Sequence, residues 1–226
     1  MEDAMGDPAR KSALYDAFAH TGKALSSGKR LELLDLLAQG ERTVDALAKA
    51  AGLNLTTASA HLQTLKQAGL VATRREGVRI HYRLAGDDVA ALYALLRRVA
   101  QTHQPGVEAA RTAYLGDDQP QGVGREELLA RAQAGEVVVL DVRPAEEYAA
   151  GHVPGALSIP VEQLPDRIDE LPAGTEVVAY CRGEYCVLAH DAVRLLNAQG
   201  RRAVRLSEGM LEWRLADLPV ATGEAA

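Results

Sequence analysis

Val177-Val178-Ala179-Tyr180-Cys181-Arg182-Gly183-Glu184-Tyr185-Cys186 holds both cysteines of the 226-residue chain in one short loop. The apolar run before the loop reads as a buried strand, and Val187 to Gln199, after it, carries apolar residues at helical spacing. A thiol between a strand end and a helix start sits where the helix dipole and free backbone N–H groups favour the nucleophilic thiolate. Gly183 and the charged residues between the cysteines point to an exposed turn rather than to two thiols buried in a core. All thiol chemistry of the chain has to happen here.

Working outward, the segment from Glu126 to Leu206 alternates helical and short apolar stretches: Glu126 to Gln133, Val137 to Leu140, Ala145 to Ala149, Val161 to Leu171, Val177 to Tyr180, Val187 to Gln199 and Ala203 to Leu206. This alternation predicts a parallel sheet with helices on both faces. The functional crevice of such a sheet lies beyond the carboxyl ends of its strands, and the cysteine loop is at one of those ends.

The first half has another texture. Ala13 to Leu25, Gly28 to Ala38, Val44 to Ala51 and Asn54 to Ala68 show apolar residues three and four apart, with Gly40, Gly52 and Gly69 where helices should stop. Val71 to Arg75 and Val78 to Leu84 then alternate as strands around Glu76-Gly77, and a helix follows from Asp87 to about Thr102. Two helices joined by a short Gly turn and followed by a basic hairpin form the pattern of a winged helix-turn-helix. Ala58, Leu62 and Leu65 should face the core. Thr56, Thr57, Ser59, His61 and Gln63 remain to reach bases or phosphates, and Lys66, Arg74, Arg75 and Arg79 to contact the DNA backbone.

Charge supports two domains with different partners. From Met1 to Gln104 there are 14 Lys+Arg against 11 Asp+Glu, and in the remainder 11 against 20, within a net charge of -6. The expected division is a DNA-binding and dimerisation domain over 1–115, a Gly-, Pro- and acid-rich linker over 116–124 and a second domain over 125–226. Two closely spaced cysteines are too few for a secreted disulfide framework, so reduced thiols in the cytoplasm are expected. No apolar run has the length of a membrane span, and Met1 to Lys11 does not read as a signal peptide. No cofactor is expected.

Ala58-Ser59-Ala60-His61-Leu62-Gln63-Thr64-Leu65-Lys66-Gln67-Ala68-Gly69-Leu70-Val71 resembles the recognition helix and wing entry of the ArsR family of repressors, with a resemblance running from about Ala13 to Thr102. The resemblance implies a homodimer joined through Ala13 to Leu25 and Asp87 to Thr102, and a two-fold dimer needs double-stranded DNA with an inverted-repeat operator. Many such proteins sense metals through cysteines in the DNA-reading unit or through His and carboxylate ligands on the last helix. No cysteine precedes Cys181, and Asp87, Asp88 and His103 lack the i, i+4 spacing that shares a helix face, so no metal site is expected.

Leu140-Asp141-Val142-Arg143-Pro144-Ala145-Glu146-Glu147-Tyr148, with Gly151-His152-Val153-Pro154-Gly155-Ala156 and Gly209 to Trp213, is similar to the rhodanese domain, from about Gly124 to Ala221. The resemblance implies that Cys181 accepts sulfane sulfur as a persulfide held in the loop Arg182, Gly183, Glu184 and Tyr185. His152 is expected to make structural hydrogen bonds, while Asp141 and Arg143 either orient the loop or pair with each other. Many rhodaneses carry Gly fourth and Arg sixth in this loop; here Glu184 is fourth and Cys186 sixth. Loss of that cation argues against a dianionic donor such as thiosulfate and favours persulfide or polysulfide. Cys186 can then resolve the Cys181 persulfide by thiol–disulfide exchange. Two functions compete: a regulator that senses reactive sulfur, and a turnover sulfurtransferase, fed by thiosulfate or mercaptopyruvate, whose DNA-binding domain controls its own supply.

Overall fold

The computed structural model describes residues 7–116 and 122–224. The centre of the expected linker, 117–121, lies outside the described residues, as do residues 1–6 of the amino-terminal segment. The chain divides between Tyr93 and Ala94 into two compact units. That division falls inside one helix, and the stretch from Ala94 to Leu115, read from sequence with the first domain, packs with the second unit.

The first unit contains α1 (Pro8–Leu25), α2 (Gly28–Gln39), β1 (Arg42–Thr43), α3 (Val44–Ala50), α4 (Leu55–Gln67), β2 (Val71–Glu76), β3 (Arg79–Leu84) and the start of α5 (Asp87–His103). α1 begins earlier than the apolar spacing suggests, because Pro8 suits the first helical position and the Asp7 side chain accepts from Ala9 N at 2.9 Å. α3 and α4 are capped by Thr43 and Asn54, whose side chains accept from Ala46 N and Thr57 N. Gly69 ends α4 at φ 73°, and Leu70 N donates back to Leu65 O at 2.9 Å, closing the helix where the chain must turn into β2.

Ala58, Leu62 and Leu65 of α4 are fully buried, as the 3.6-residue spacing requires. β2 and β3 pair antiparallel from Val71↔Leu84 to Glu76↔Arg79, so the wing turn is Gly77-Val78, one residue beyond the expected Glu76-Gly77. β1 adds antiparallel to β3, a strand too short to show an alternating pattern.

The second unit continues with the rest of α5, then α6 (Gly106–Leu115), β4 (Gly122–Val123), α7 (Arg125–Gln133), β5 (Val137–Asp141), α8 (Ala145–Ala150), β6 (Leu157–Ser158), α9 (Leu164–Arg167), a 3-10 turn (Ile168–Glu170), β7 (Glu176–Tyr180), α10 (Val187–Ala198), β8 (Ala203–Leu206) and α11 (Met210–Leu215). The single helix expected over Val161 to Leu171 is a short α-turn and a 3-10 turn instead. Pro165 has no N–H to give a continuing helix and is tolerated only in the first turn. α6 is a helix the sequence reading did not include, because Pro105 and Gly106 stand at its start.

The described strands form one parallel sheet in the order β4-β8-β7-β5-β6. Both faces are covered. Val177, Ala179 and Cys181 pack with Leu140, Val142 and the α10 residues Ala189, Ala192, Val193 and Leu196. Val178 and Tyr180, with Val137 and Val139, pack on the opposite face with Leu128, Tyr148, Met210 and Trp213. The two-residue period is therefore present in β7 even though every position from Val177 to Tyr180 is apolar. No helix among the described residues is long and apolar enough to cross a membrane.

Removing the Leu62 side chain leaves a cavity at the centre of the first unit. Leu62→Ala should lower stability by about 2–5 kcal/mol, read from urea unfolding with an unchanged denaturant slope, whereas a negligible shift would contradict its place in the core. In the second unit His190 is fully buried, and burial pushes its pKa below the usual histidine value. The unfolded chain takes up that proton first as pH falls. His190 therefore contributes its full stability above about pH 6.5 and loses it as pH falls through the folded pKa. Chemical denaturation in pH steps should show a steeper acid-side loss for the wild type than for His190→Phe; parallel profiles would contradict the assignment.

Candidate functional site

β7 delivers Cys181 to the end of the sheet, and the chain re-enters a helix at Val187 with Cys186 as the cap of α10. The intervening residues make a tight loop in which Cys186 N donates to Gly183 O at 3.0 Å. The Cα atoms of Cys181 and Cys186 are 6.3 Å apart, within the span of a disulfide, and the structure joins the two sulfurs. The reduced thiols expected from sequence are the other state of this pair. Cys181 is 1% exposed, not the open thiol of an exposed turn. The physical reason is strand alternation: Cys181 continues the Val177 and Ala179 face and lies under α10. Cys186 is half-buried, as are Arg182, Gly183, Glu184 and Tyr185.

Each loop residue has a distinct partner. Arg182 forms a two-pronged pair with Glu147 of α8, Nη2 to Oε1 at 2.7 Å and Nε to Oε2 at 3.1 Å. The Glu147 carboxylate is fully buried, so withdrawal of Arg182 would leave a charge without water and cost about 3–5 kcal/mol. Gly183 backs onto Gly209, the cap of α11. A Cβ at Gly209 would stand 2.2 Å from Gly183 N, so only glycine allows this approach. Met210 N and Leu211 N donate to Cys181 O and Arg182 O, fixing the start of α11 to the loop. Glu184 accepts from Gln101 at 3.3 Å, and the Tyr185 ring faces the Arg97 guanidinium at 5.0 Å.

Asp141 and Arg143 pair with each other, Nη2 to Oδ2 at 2.6 Å, and both are wholly buried. Tyr180 OH donates to the same Asp141 carboxylate at 2.6 Å and accepts from Val153 N. Burial, and then the Asp141 charge, hold the Tyr180 phenol protonated well above its ordinary pKa. This network ties β5 and the Gly151 segment, through Arg143 Nη2 to Gly151 O, to the residue preceding Cys181. His152 stacks on Tyr148 at 3.6 Å and donates from Nδ1 to Tyr148 O. His190 Nδ1 donates to Cys186 O at 3.1 Å.

In the first unit, Thr56, Gln63 and Lys66 are exposed on α4, with Thr57, Ser59 and His61 half-buried beside them. Gln63 donates to Tyr82 OH at 3.1 Å and Lys66 to Thr73 at 3.0 Å, which ties the helix to the hairpin. Arg74, Arg75 and Arg79 are exposed on the wing. Arg74 pairs with Glu41 and Glu76, whose hydrogen bonds raise its pKa further, while Arg75 donates to Gly77 O. These are surface pairs of small net stability.

Sequence reasoning brought together the two cysteines and the loop between them. It missed Glu147 as the partner of Arg182, Glu212 and Arg97 beside the loop, and the close approach of Gly209. Residues distant in sequence meet here without a local spacing signal, though Gly209 stood in the segment quoted for its rhodanese resemblance.

Comparison with known proteins matches residues 27–73 to the arsR family of bacterial regulatory proteins and residues 124–216 to the rhodanese-like domain. The HTH-type transcriptional regulator Rv0324 of Mycobacterium tuberculosis is 56% identical over 218 residues, which cover 96% of this chain and 96% of that protein. A sulfurtransferase of Allochromatium vinosum is 33% identical over 94 residues, covering 41% of this chain and 86% of its own. The solution structure of the homodimeric winged helix-turn-helix DNA-binding domain, fragment 1-100 of Mb0332 from Mycobacterium bovis, is 61% identical, covers 44% of this chain and 92% of that one, and gives a TM-score of 0.41. The chain belongs to the ArsR family of helix-turn-helix regulators, in the form that carries a rhodanese-like domain after its winged helix.

Proposed function

We propose that this regulator binds operator DNA as a homodimer and senses sulfane sulfur at Cys181, with Cys186 as the resolving thiol. The proximity of the two cysteines, 6.3 Å between Cα atoms in a joined pair, carries the reading. In the reduced protein, the Cys181 thiolate attacks the outer sulfur of a persulfide, releasing the donor's thiol and leaving Cys181–S–SH. Cys186, as thiolate, then attacks Cys181 Sγ and expels sulfide, closing the disulfide. One sulfane sulfur is reduced to sulfide as two thiols are oxidised, and the donor leaves as its thiol.

The choice of donor follows from Arg182. Its guanidinium is held by the buried Glu147 carboxylate and is not offered to a substrate anion, so a dianion such as thiosulfate lacks its counter-charge in the loop. Persulfides and polysulfides do not need it. The likeness to a sulfurtransferase keeps the turnover reading in play as the rival, with thiosulfate or mercaptopyruvate as donor.

On the DNA side, α4 enters the major groove with Thr56, Thr57, Ser59, His61 and Gln63, and Lys66, Arg74, Arg75 and Arg79 contact phosphates. Leu14, Tyr15 and Phe18 on α1 and Leu92, Leu95 and Val99 on α5 are exposed apolar side chains, which support a dimer built from those helices and hence an inverted-repeat operator. In this reading, residues 1–115 bind DNA and dimerise, 116–124 link, and 125–226 sense. The protein works in the cytoplasm, where the pair rests reduced.

The test is operator affinity, at one fixed salt concentration, for reduced protein, polysulfide-treated protein and Cys181→Ser treated alike. A shift of about tenfold on treatment, equivalent to about 1.4 kcal/mol of coupling, is expected in the wild type and not in Cys181→Ser. Equal affinity in all three contradicts sensing. Sustained multiple turnovers from thiosulfate or mercaptopyruvate to cyanide, without a change in DNA affinity, would establish the rival instead.

A further inference from the structure

The three residues between Arg182 and Cys186 all meet one face of α5. Arg97 Nη1 lies 3.3 Å from the position a Cβ would take at Gly183, so its guanidinium rests against the loop backbone. The same guanidinium faces the Tyr185 ring at 5.0 Å, in the geometry of a cation–π contact. Gln101, one turn further along α5, donates Nε2 to Glu184 Oε1 at 3.3 Å. Arg97 also pairs with Glu212 of α11, Nη1 to Oε1 at 3.3 Å, and these side chains are only 16% and 23% exposed. Glu212 Oε2 in turn accepts from Gly209 N at 3.0 Å, and Gly209 is the residue pressed against Gly183. Loop, α11 and α5 therefore close a ring of contacts through Arg97.

We propose that Arg97 is the positioning residue through which the state of the Cys181–Cys186 pair is transmitted to α5, an inference that rests on the sulfur-sensing reading above. A joined pair fixes the backbone between the cysteines in a closed ring. Opening that ring, or loading sulfur onto Cys181, lets Gly183 and Tyr185 move against the guanidinium. The Tyr185 hydroxyl is buried and has no hydrogen-bond partner among the described residues. No hydrogen bond there anchors the ring against such movement, and its burial is sustained by packing that includes the Arg97 face. Any displacement reaches α5 through Arg97 and Gln101, four residues apart on one helical face. The same helix carries Tyr93, whose hydroxyl donates to Asp35 of α2 at 3.2 Å within the first unit. α5 thus runs in sequence from Tyr93, which bonds within the first unit, to the loop contacts of Arg97 and Gln101.

The transmission is tested in the full-length protein with Arg97→Ala and, separately, Glu212→Gln, which keeps the side-chain shape but removes the ion pair. The DNA probe is a labelled duplex recovered from a random-sequence library by selection with the reduced wild-type protein. Anisotropy gives the affinity of reduced and polysulfide-treated protein, and thiol alkylation followed by mass measurement gives the state of the cysteines in the same samples. Arg97→Ala is expected to close the pair normally and to bind the probe, when reduced, within about twofold of wild type. Its affinity should then change less than about twofold on treatment, where the wild type changes about tenfold. Glu212→Gln should reduce the response in the same direction, and it decides the matter should Arg97→Ala not fold. A response of wild-type size in a variant whose pair has closed overturns the role of Arg97 while leaving sulfur sensing intact. Absence of any response in the wild type overturns both.

Discussion

The Glu147 carboxylate is sealed from water, and a buried charge of that kind must be met by a cation. Arg182 meets it, and much of the site's character follows. The loop's cation is paired to the scaffold. The loop is fastened to α8 at its second residue, while Gly209 and the start of α11 support it from behind. The segment from Gly183 to Cys186 is the part that a bond between the two sulfurs spans. A site that binds thiosulfate needs free positive charge; a site that registers the joining of two thiols needs a fixed base and a short deformable span. In the proposed reading the site serves the second need.

The buried Asp141–Arg143 pair and Tyr180 play a complementary part at the end of the sheet. Their hydrogen bonds join β5, the Gly151 segment and the residue before Cys181 into one fully satisfied polar network. Such a network is costly to leave half-made, so it holds the end of β7 in register. Cys181 consequently sits at a strand end held by that network, and Cys186 is the cap of α10. The proposed reading places loading on Cys181 and resolution on Cys186.

Much of this architecture was legible because it rests on local periodicity. The α4 core face of Ala58, Leu62 and Leu65, the helix stop at Gly69 and the alternation into the basic hairpin follow from spacing alone. The cysteine loop was legible because no other cysteine exists. The burial of Cys181 was misread from the polarity of its neighbours, when the controlling pattern was the strand behind it. The helix expected over Val161 to Leu171 failed at Pro165, where a missing N–H outweighs the apolar spacing. Arg97, Glu147 and Glu212 were beyond reach for a different reason: each acts through a contact with a residue dozens of positions away, and a charged residue on a helix reads the same whether it faces water or a loop.

The account turns on whether sulfur arriving at Cys181 is resolved by Cys186. Intact-mass measurement of the reduced protein after exposure to a low-molecular-weight persulfide, with both thiols then challenged by an alkylating reagent, tests this most directly. The predicted product is lighter than the dithiol by two hydrogens and carries no alkyl group at either cysteine. A product that keeps an added sulfur on Cys181 and an alkylated Cys186, or one that is alkylated at both, would contradict it.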